Sequence, residues 1–256
     1  MKQAERAEQV GVRYKFGRYR KDGPKKVRNL RFGDNTLDVL YDAWNSLVMK
    51  NGYYYDSAEK VVQGRKLAFD TDEIERFSVA LEALQEDGDF SKKAGALLTF
   101  LIKYGLSSTY RLDTTKLHEP IDSIYKEHEK DIIVKGNLGE GAIASCGGGT
   151  VIIDGNVLNG AFFDMRGGLA IITGSATDSP GLVMRDGTLV ILGDAMDNVG
   201  DFMQGGVIRV KGNARRDIGN EMTGGEIHID GDFQRLNDKL IKHGKIFHKG
   251  KLIVDK

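Results

Sequence analysis

The chain has 256 residues and a mass of 28.2 kDa, enough for one large domain or two ordinary ones. Its 37 Lys and Arg balance 37 Asp and Glu, which excludes a global basic field for nucleic acid, and a single cysteine excludes an internal disulfide framework or an all-thiolate metal cluster. No apolar run approaches the ~20 residues of a membrane helix, and Met1–Val10 lacks a signal peptide's apolar core, so a soluble, cytoplasmic protein without a membrane partner is expected.

Three segments follow in chain order: a basic arm over 1–31, a helical domain or cap over 32–130, and a Gly-rich repeat over 131–256. The arm carries 11 basic and 3 acidic side chains. Arg13, Lys15, Arg18, Arg20, Lys21, Lys25, Lys26, Arg28 and Arg31 face only Asp22 in charge, with Tyr14, Phe16 and Tyr19 interleaved. That pattern fits contact with an acidic surface, or phosphate contacts and base stacking on a nucleic acid or other polyanion.

In the second segment, Asp34 or Asn35 caps a helix with Leu37, Leu40, Tyr41, Trp44, Leu47 and Val48 on its apolar face, ending at Asn51-Gly52. Asp70 and Glu73 form a capping box before Ile74, Phe77, Leu81 and Leu84, closed by Asp87-Gly88. Ser91 starts a third helix, with Ala94, Leu97, Leu98, Leu101 and Ile102, that ends at Gly105. Pro120 fits the first turn of a fourth, with Ile121, Ile124 and Tyr125.

The third segment holds 24 of the chain's 33 glycines. Gly136, Gly155, Gly174, Gly193, Gly212, Gly231 and Gly250 recur every 19 residues. A second glycine column runs through Gly149, Gly168, Gly187, Gly206, Gly225 and Gly244. Between them stand Cys146, Met165, Met184, Met203, Met222 and Ile241. Alternation such as Ile208-Arg209-Val210 and Ile227-His228-Ile229 reads as a half-buried strand in each repeat. One repeat cannot bury its own apolar side, but stacked repeats build a continuous core. The expected architecture is a parallel β-helix of 19-residue coils, with the Met column as an internal ladder and the helical segment capping one end. Lys251–Lys256 is expected to form a last strand at the other end. Asn137, Asn156, Ser175, Asp194, Asn213 and Asp232 follow the coil-opening glycines and are expected to stabilise turns locally.

The pattern Gly212-x6-Gly219-x2-Met222-x-Gly224-Gly225-x-Ile227-x-Ile229-x-Gly231 resembles the GXGXG repeat family. That family comprises the C-terminal domain of the glutamate synthase large subunit and one of the subunits of formylmethanofuran dehydrogenase. The resemblance covers about residues 131–250. Its Gly-x2-Gly spacing survives here only at Gly136/Gly139, and its third glycine only at Gly181, Gly200 and Gly219. The following Gly-Gly pair becomes Asp186-Gly187 and His243-Gly244 in two repeats. The resemblance implies a right-handed β-helix that joins or braces catalytic domains of an oxidoreductase complex and carries no catalytic residue.

Gly139-x-Gly141-x2-Ala144 mimics a dinucleotide fingerprint, but Ser145-Cys146-Gly147-Gly148-Gly149 cannot propagate the helix such a site requires. Cys146, within the Met column, reads as a core thiol, and His118, His128, His228, His243 and His248 have no shared metal spacing, so no metal or cofactor is expected. Arg166 and Arg185 occupy one column in successive repeats. Asp164 and Asp186 stand near enough to neutralise them; otherwise the pair suits a carboxylate or phosphate on a partner or small anion. Two classes of function emerge: a non-catalytic structural subunit binding other proteins or itself, and a polyanion-binding module acting through the arm.

Overall fold

The computed structural model describes residues 33–124, 127 and 129–256; the nine cations of the basic arm lie outside them. Among the described residues four helices precede and cap a nine-stranded sheet whose strands stack in sequence order. None of these helices is long and apolar enough to cross a membrane.

Helix α1 (Asn35–Asn45) starts at Asp34, whose Oδ1 accepts from Thr36 N (2.9 Å) and Leu37 N (3.2 Å). It stops short of Asn51-Gly52. Those two residues instead take left-handed conformations (φ 53° and 83°) in a two-residue turn that pairs Lys50 with Tyr53. Helix α2 (Tyr55–Gly64) was not expected from the sequence. It has no side-chain N-cap, and only Ala58 and Val62 are buried, so both of the usual signals are weak. Helix α3 (Thr71–Ala80) carries the expected capping box of Asp70 and Glu73 and runs into a 3-10 turn, Leu81–Leu84. Helix α4 (Phe90–Tyr104) is buried almost all round. Its C-terminal carbonyls of Ile102 and Gly105 accept from the Lys130 ammonium at 3.0 and 2.5 Å, a favourable use of a cation at a helix C-terminus.

The fourth helix expected at Pro120 does not form. Ile121 makes a parallel bridge to Leu138, and the Ile121 and Ile124 carbonyls accept from Gly139 N and Ala144 N. Both isoleucines are fully buried, but as part of a coil rather than a helix face. The parallel stack accordingly extends back to β1 (Thr109–Asp113), and the boundary drawn at 131 falls inside it.

Strands β2 (Asp131–Lys135), β3 (Thr150–Asp154), β4 (Arg166–Ile172), β5 (Asp186–Ile191), β6 (Val207–Val210), β7 (Thr223–Ile229) and β8 (His243–His248) follow. From β2 onward, each core strand residue faces the one a period later: Ile132 on Val151, Leu189 on Ile208, Ile208 on Ile227. Inward strand side chains such as Ile153, Ile172, Ile191 and Val210 are fully buried. A second internal column is the ladder Cys146, Met165, Met184, Met203 and Met222, all at 0 % exposure, as expected.

The two glycine columns have different causes. At Gly193 a Cβ would sit 2.6 Å from the Gly174 carbonyl oxygen of the preceding coil, closer than any real contact, so the backbones could not approach. At Gly225 φ is +90°, and a Cβ would also lie 2.6 Å from the Met203 methyl. The methionine of one coil fills the space left by the absent side chain of the next. The Asn/Ser/Asp column departs from expectation. Its side chains bond across coils: Asn137 Oδ1 accepts from Asn156 N (2.8 Å), Asn156 Oδ1 from Ser175 N (2.9 Å), and Asp194 Oδ1 from Asn213 N (2.7 Å). The corner backbone already bonds along the stack, as in Gly193 N to Gly174 O, so these side chains satisfy the next donor outward.

Both ends are closed. At the β1 edge, Thr71 Oγ1 of α3 accepts from Arg111 N (3.1 Å) and Ser78 Oγ from Asp113 N (2.8 Å), satisfying edge donors that would otherwise recruit another strand. At the far end β9 (Lys251–Asp255) turns back antiparallel on β8 through Lys249 (φ 49°) and Gly250 (φ 75°).

Met203→Ala should cost ~2–5 kcal/mol as a core truncation, and Gly225→Ala should also destabilise. Because the new methyl would occupy the space Met203 vacates, denaturant melts of the double variant should show a loss smaller than the sum. Strictly additive losses would contradict the packing described.

Candidate interaction surfaces

The structure brings Arg166 and Arg185 together on one carboxylate. Asp164 Oδ2 accepts from Arg166 Nε (3.0 Å) and Nη2 (2.6 Å), and its Oδ1 accepts from Arg185 Nε (2.6 Å). The Asp164 side chain is 8 % exposed, whereas both arginines are half-exposed. Burial alone would raise this carboxyl, yet the hydrogen bonds from Arg185 and Arg166 hold it below the ordinary range. Asp164 sits at φ 52°, a conformation that Asp tolerates better than most residues. The pair is thus seated on an internal anion.

A second clamp was missed in the sequence. Asp197 accepts from Arg215 Nε (2.7 Å) and Nη2, and from Arg216 Nε (3.2 Å). Here too burial opposes ionisation, and the Arg215 and Arg216 guanidinium groups outweigh it. Asp197 and Arg216 are bridge partners in adjacent coils, so applying the 19-residue period to charged residues would have found the pair.

Two carboxyls move the other way. Asp201, nearly buried, is pushed up to about 7, first by desolvation and further by Asp217, although Asn220 N donates to it at 3.0 Å. Asp122 is pushed up to about 6 by burial, with Glu140 and Glu119 adding repulsion.

The remaining residues singled out in sequence have packing surroundings. Cys146 is fully buried in the Met ladder. Gly139 and Gly141 lie in a coil turn with no helix behind them. His228 stacks on Phe247 (centroids 4.3 Å apart) beside Glu226, and His248 Nε2 lies 3.0 Å from the Gly231 carbonyl. His128 lies outside the described residues. Among the described residues no three His, Cys, Asp or Glu side chains are grouped to hold a metal ion.

The most distinctive surface is the outer face of the sheet. On β7 and β8 the outward positions include Glu226, His228, Lys245 and Phe247, and Arg209 stands outward on β6. On β2 through β5 the corresponding ridge is Ile133, Ile152, Ile171 and Val190, paired strand to strand. Leu169 and Leu192 widen it on either side. Ile133 is 38 % exposed, Leu169 38 % and Leu192 47 %. A half-buried strand normally alternates apolar inward with polar outward; a near-continuous apolar strand is the pattern of a sheet covered on both faces. The signal stood in the sequence as Val151-Ile152-Ile153 and Leu189-Val190-Ile191-Leu192, beside the clean alternation of Ile208-Arg209-Val210.

The shifted carboxyls set a pH profile. Asp201 and Asp122, raised on folding, stabilise fully below about pH 4 and lose that contribution as pH rises through about 6 to 7. Asp164 and Asp197, depressed on folding, contribute above about pH 4 and lose it as pH falls through their folded values. Thermal stability should therefore peak near about pH 4, and Asp201→Asn should flatten the decline between about pH 4 and 7. A decline unchanged in that variant would contradict the assignment.

No protein-family model, curated protein or solved structure matches this chain, so the functional reading rests on its residues and geometry.

Proposed function

We propose that the chain is a non-catalytic structural subunit that binds other polypeptides through the outer face of β2–β5, as a β-helix domain of glutamate synthase-like or formylmethanofuran dehydrogenase-like complexes would. The observation that supports this reading is the apolar ridge Ile133, Ile152, Ile171 and Val190, placed where neighbouring strands carry Arg209 and His228. The ridge adds nothing to the solenoid interior, which the inward residues already fill. Leaving it in water forgoes ~25 cal/mol for each Å² that a partner would cover. The polar residues that bridge coils, including Asp164, Asp197 and the Asn/Ser/Asp column, support the same role by stiffening the frame.

A second reading keeps the basic arm as a polyanion-binding element. It is favoured by the charge of residues 13–31, where nine cations meet one carboxylate. Deleting residues 1–31 should then remove binding to single-stranded RNA that weakens steeply with salt. Binding that survives the deletion, or its absence from the intact chain at low salt, would eliminate this role.

For the principal reading, Ile171→Asp replaces a half-buried β-branched residue within a strand and should cost about 1 kcal/mol while leaving the chain folded. Tagged wild-type chain recovered from its own cells should sediment as a larger assembly with a stoichiometric partner identified by mass spectrometry. The variant should sediment as the free 28.2 kDa chain. Identical sedimentation of the two would contradict the proposed interface.

A further inference from the structure

We propose that the basic arm docks on the outer face of α1 and α3 of its own chain, and that an external polyanion binds by displacing it. The docking needs no external polyanion; only its consequence rests on the reading of the arm as a polyanion-binding element.

The first argument is where the charge sits. Residues 1–31 carry 11 basic and 3 acidic side chains, residues 32–130 carry 12 and 18, and residues 131–256 carry 14 and 16. The counter-charge to the arm is therefore concentrated in the helical segment, and within it on two stretches. Residues 34–45 and 70–89 hold eleven carboxylates and one cation, Arg76. Opposite charge on two parts of one chain favours their contact over that of either with a neutral surface.

The second argument is what those carboxylates already meet. Arg76 pairs with Asp34 (2.6 Å), Arg111 with Asp72 (2.7 Å) and Glu75 (2.8 Å), and Lys93 with Asp87 (2.8 Å). Lys116 lies 4.0 Å from Glu82, Arg65 donates to Ser46 Oγ at the end of α1, and Lys92 lies near Asp122. Counting all six cations, an excess of five carboxylates remains. Neutral partners do not change it: Thr36 Oγ1 donates to Glu73 (3.1 Å) and the Tyr54 hydroxyl to Asp89 (2.8 Å), and both acceptors keep their charge. Asp42 on α1 and Glu86 beyond α3 are exposed and form no ion pair among the described residues.

The third argument is reach. The described chain begins at Gly33, beside the Asp34 cap of α1, so the arm is tethered at the face itself. Three residues lead from Arg31 to Asp34 and span at most ~11 Å, and nine lead from Lys25 and span at most ~32 Å. Both α1 and α3 are roughly 15 Å long, so the cations of the arm reach either helix. A tether this short holds them at an effective concentration on the order of mM, so that individually weak exposed pairs act together. On the solvent side of α3, Val79 is 36 % exposed between Glu75 and Glu82, an apolar site among carboxylates that suits the aromatic residues Tyr14, Phe16 and Tyr19 set among the arm's cations.

The test uses the full chain. Carbodiimide treatment at low salt joins a lysine to a carboxylate in direct contact with it, and mass spectrometry locates the joined residues. Links should connect Lys15, Lys21, Lys25 or Lys26 with Asp42, Asp72, Glu82 or Glu86, and should vanish at about 1 M salt, where the Debye length falls to ~3 Å. Mixing isotope-labelled with unlabelled chains separates links within one chain from links between two. Trypsin should cut the arm about fivefold faster in the Asp42→Asn, Glu86→Gln double variant than in the wild type, the scale of two exposed pairs lost. That variant should also bind single-stranded RNA more tightly than an Asp154→Asn, Asp255→Asn variant, which has the same net charge and an intact face. Links to solenoid carboxylates in equal yield, links only between chains, or equal trypsin rates in variant and wild type would overturn the docking. Equal RNA affinities of the two double variants would overturn the displacement. If the intact chain binds no RNA at low salt while the links within one chain form, the polyanion reading fails and the docking stands.

Discussion

The contact on which this structure depends is the approach of one coil to the next. Each core strand residue stacks on its counterpart one period later, at the spacing of a β-sheet, and the corner glycines set how closely the chain can follow itself. At Gly193 a single added carbon would strike the carbonyl oxygen of the coil before it. At Gly225 it would strike the methyl of Met203, which has moved into the vacancy. The methionine and glycine columns are therefore one device. A flexible, unbranched side chain fills the gap that a left-handed glycine leaves, and the arrangement repeats because both columns share one period.

Polar chemistry follows the same register. A corner Asn or Asp that would bond its own turn in an isolated loop finds the next coil's amide at a fixed distance and bonds that instead. Asp164 and Asp197 each clamp two arginines, and in both clamps at least one arginine comes from the following coil. Such pairs in partly dry surroundings do less for net stability than for register, since a slipped coil would strand a buried carboxylate beside apolar neighbours. The interior is thus fixed by shape and the corners by hydrogen bonds, while on the outer face the apolar side chains of β2–β5 stack on one another strand to strand.

How much of this was legible in the sequence depended on whether a signal repeated. The coils and the Met ladder could be read because each column recurs at the same spacing. The first coil could not, because β1 and the Ile121–Ile124 segment carry no period glycine, and an i, i+3 pair of isoleucines fits a helix as well as a bend. Helix α1 was overextended because Asn51-Gly52 serves both as a helix stop and as a hairpin turn, and the turn prevailed. Helix α2 lacked a cap altogether. On the candidate surface, Arg166 and Arg185 were visible as a column, but their shared seat on Asp164 needed the pairing of coils in space. The outer ridge was visible residue by residue and meant nothing until the inward positions were known.

The most direct test of this account is the solvent access of Ile171. In a Cys146→Ala background, Ile171→Cys provides one thiol on the ridge, whose reaction with a water-soluble maleimide can be timed. The account predicts fast labelling in the isolated chain and strong protection in the assembly recovered from its own cells. Equal labelling rates in the two would contradict it.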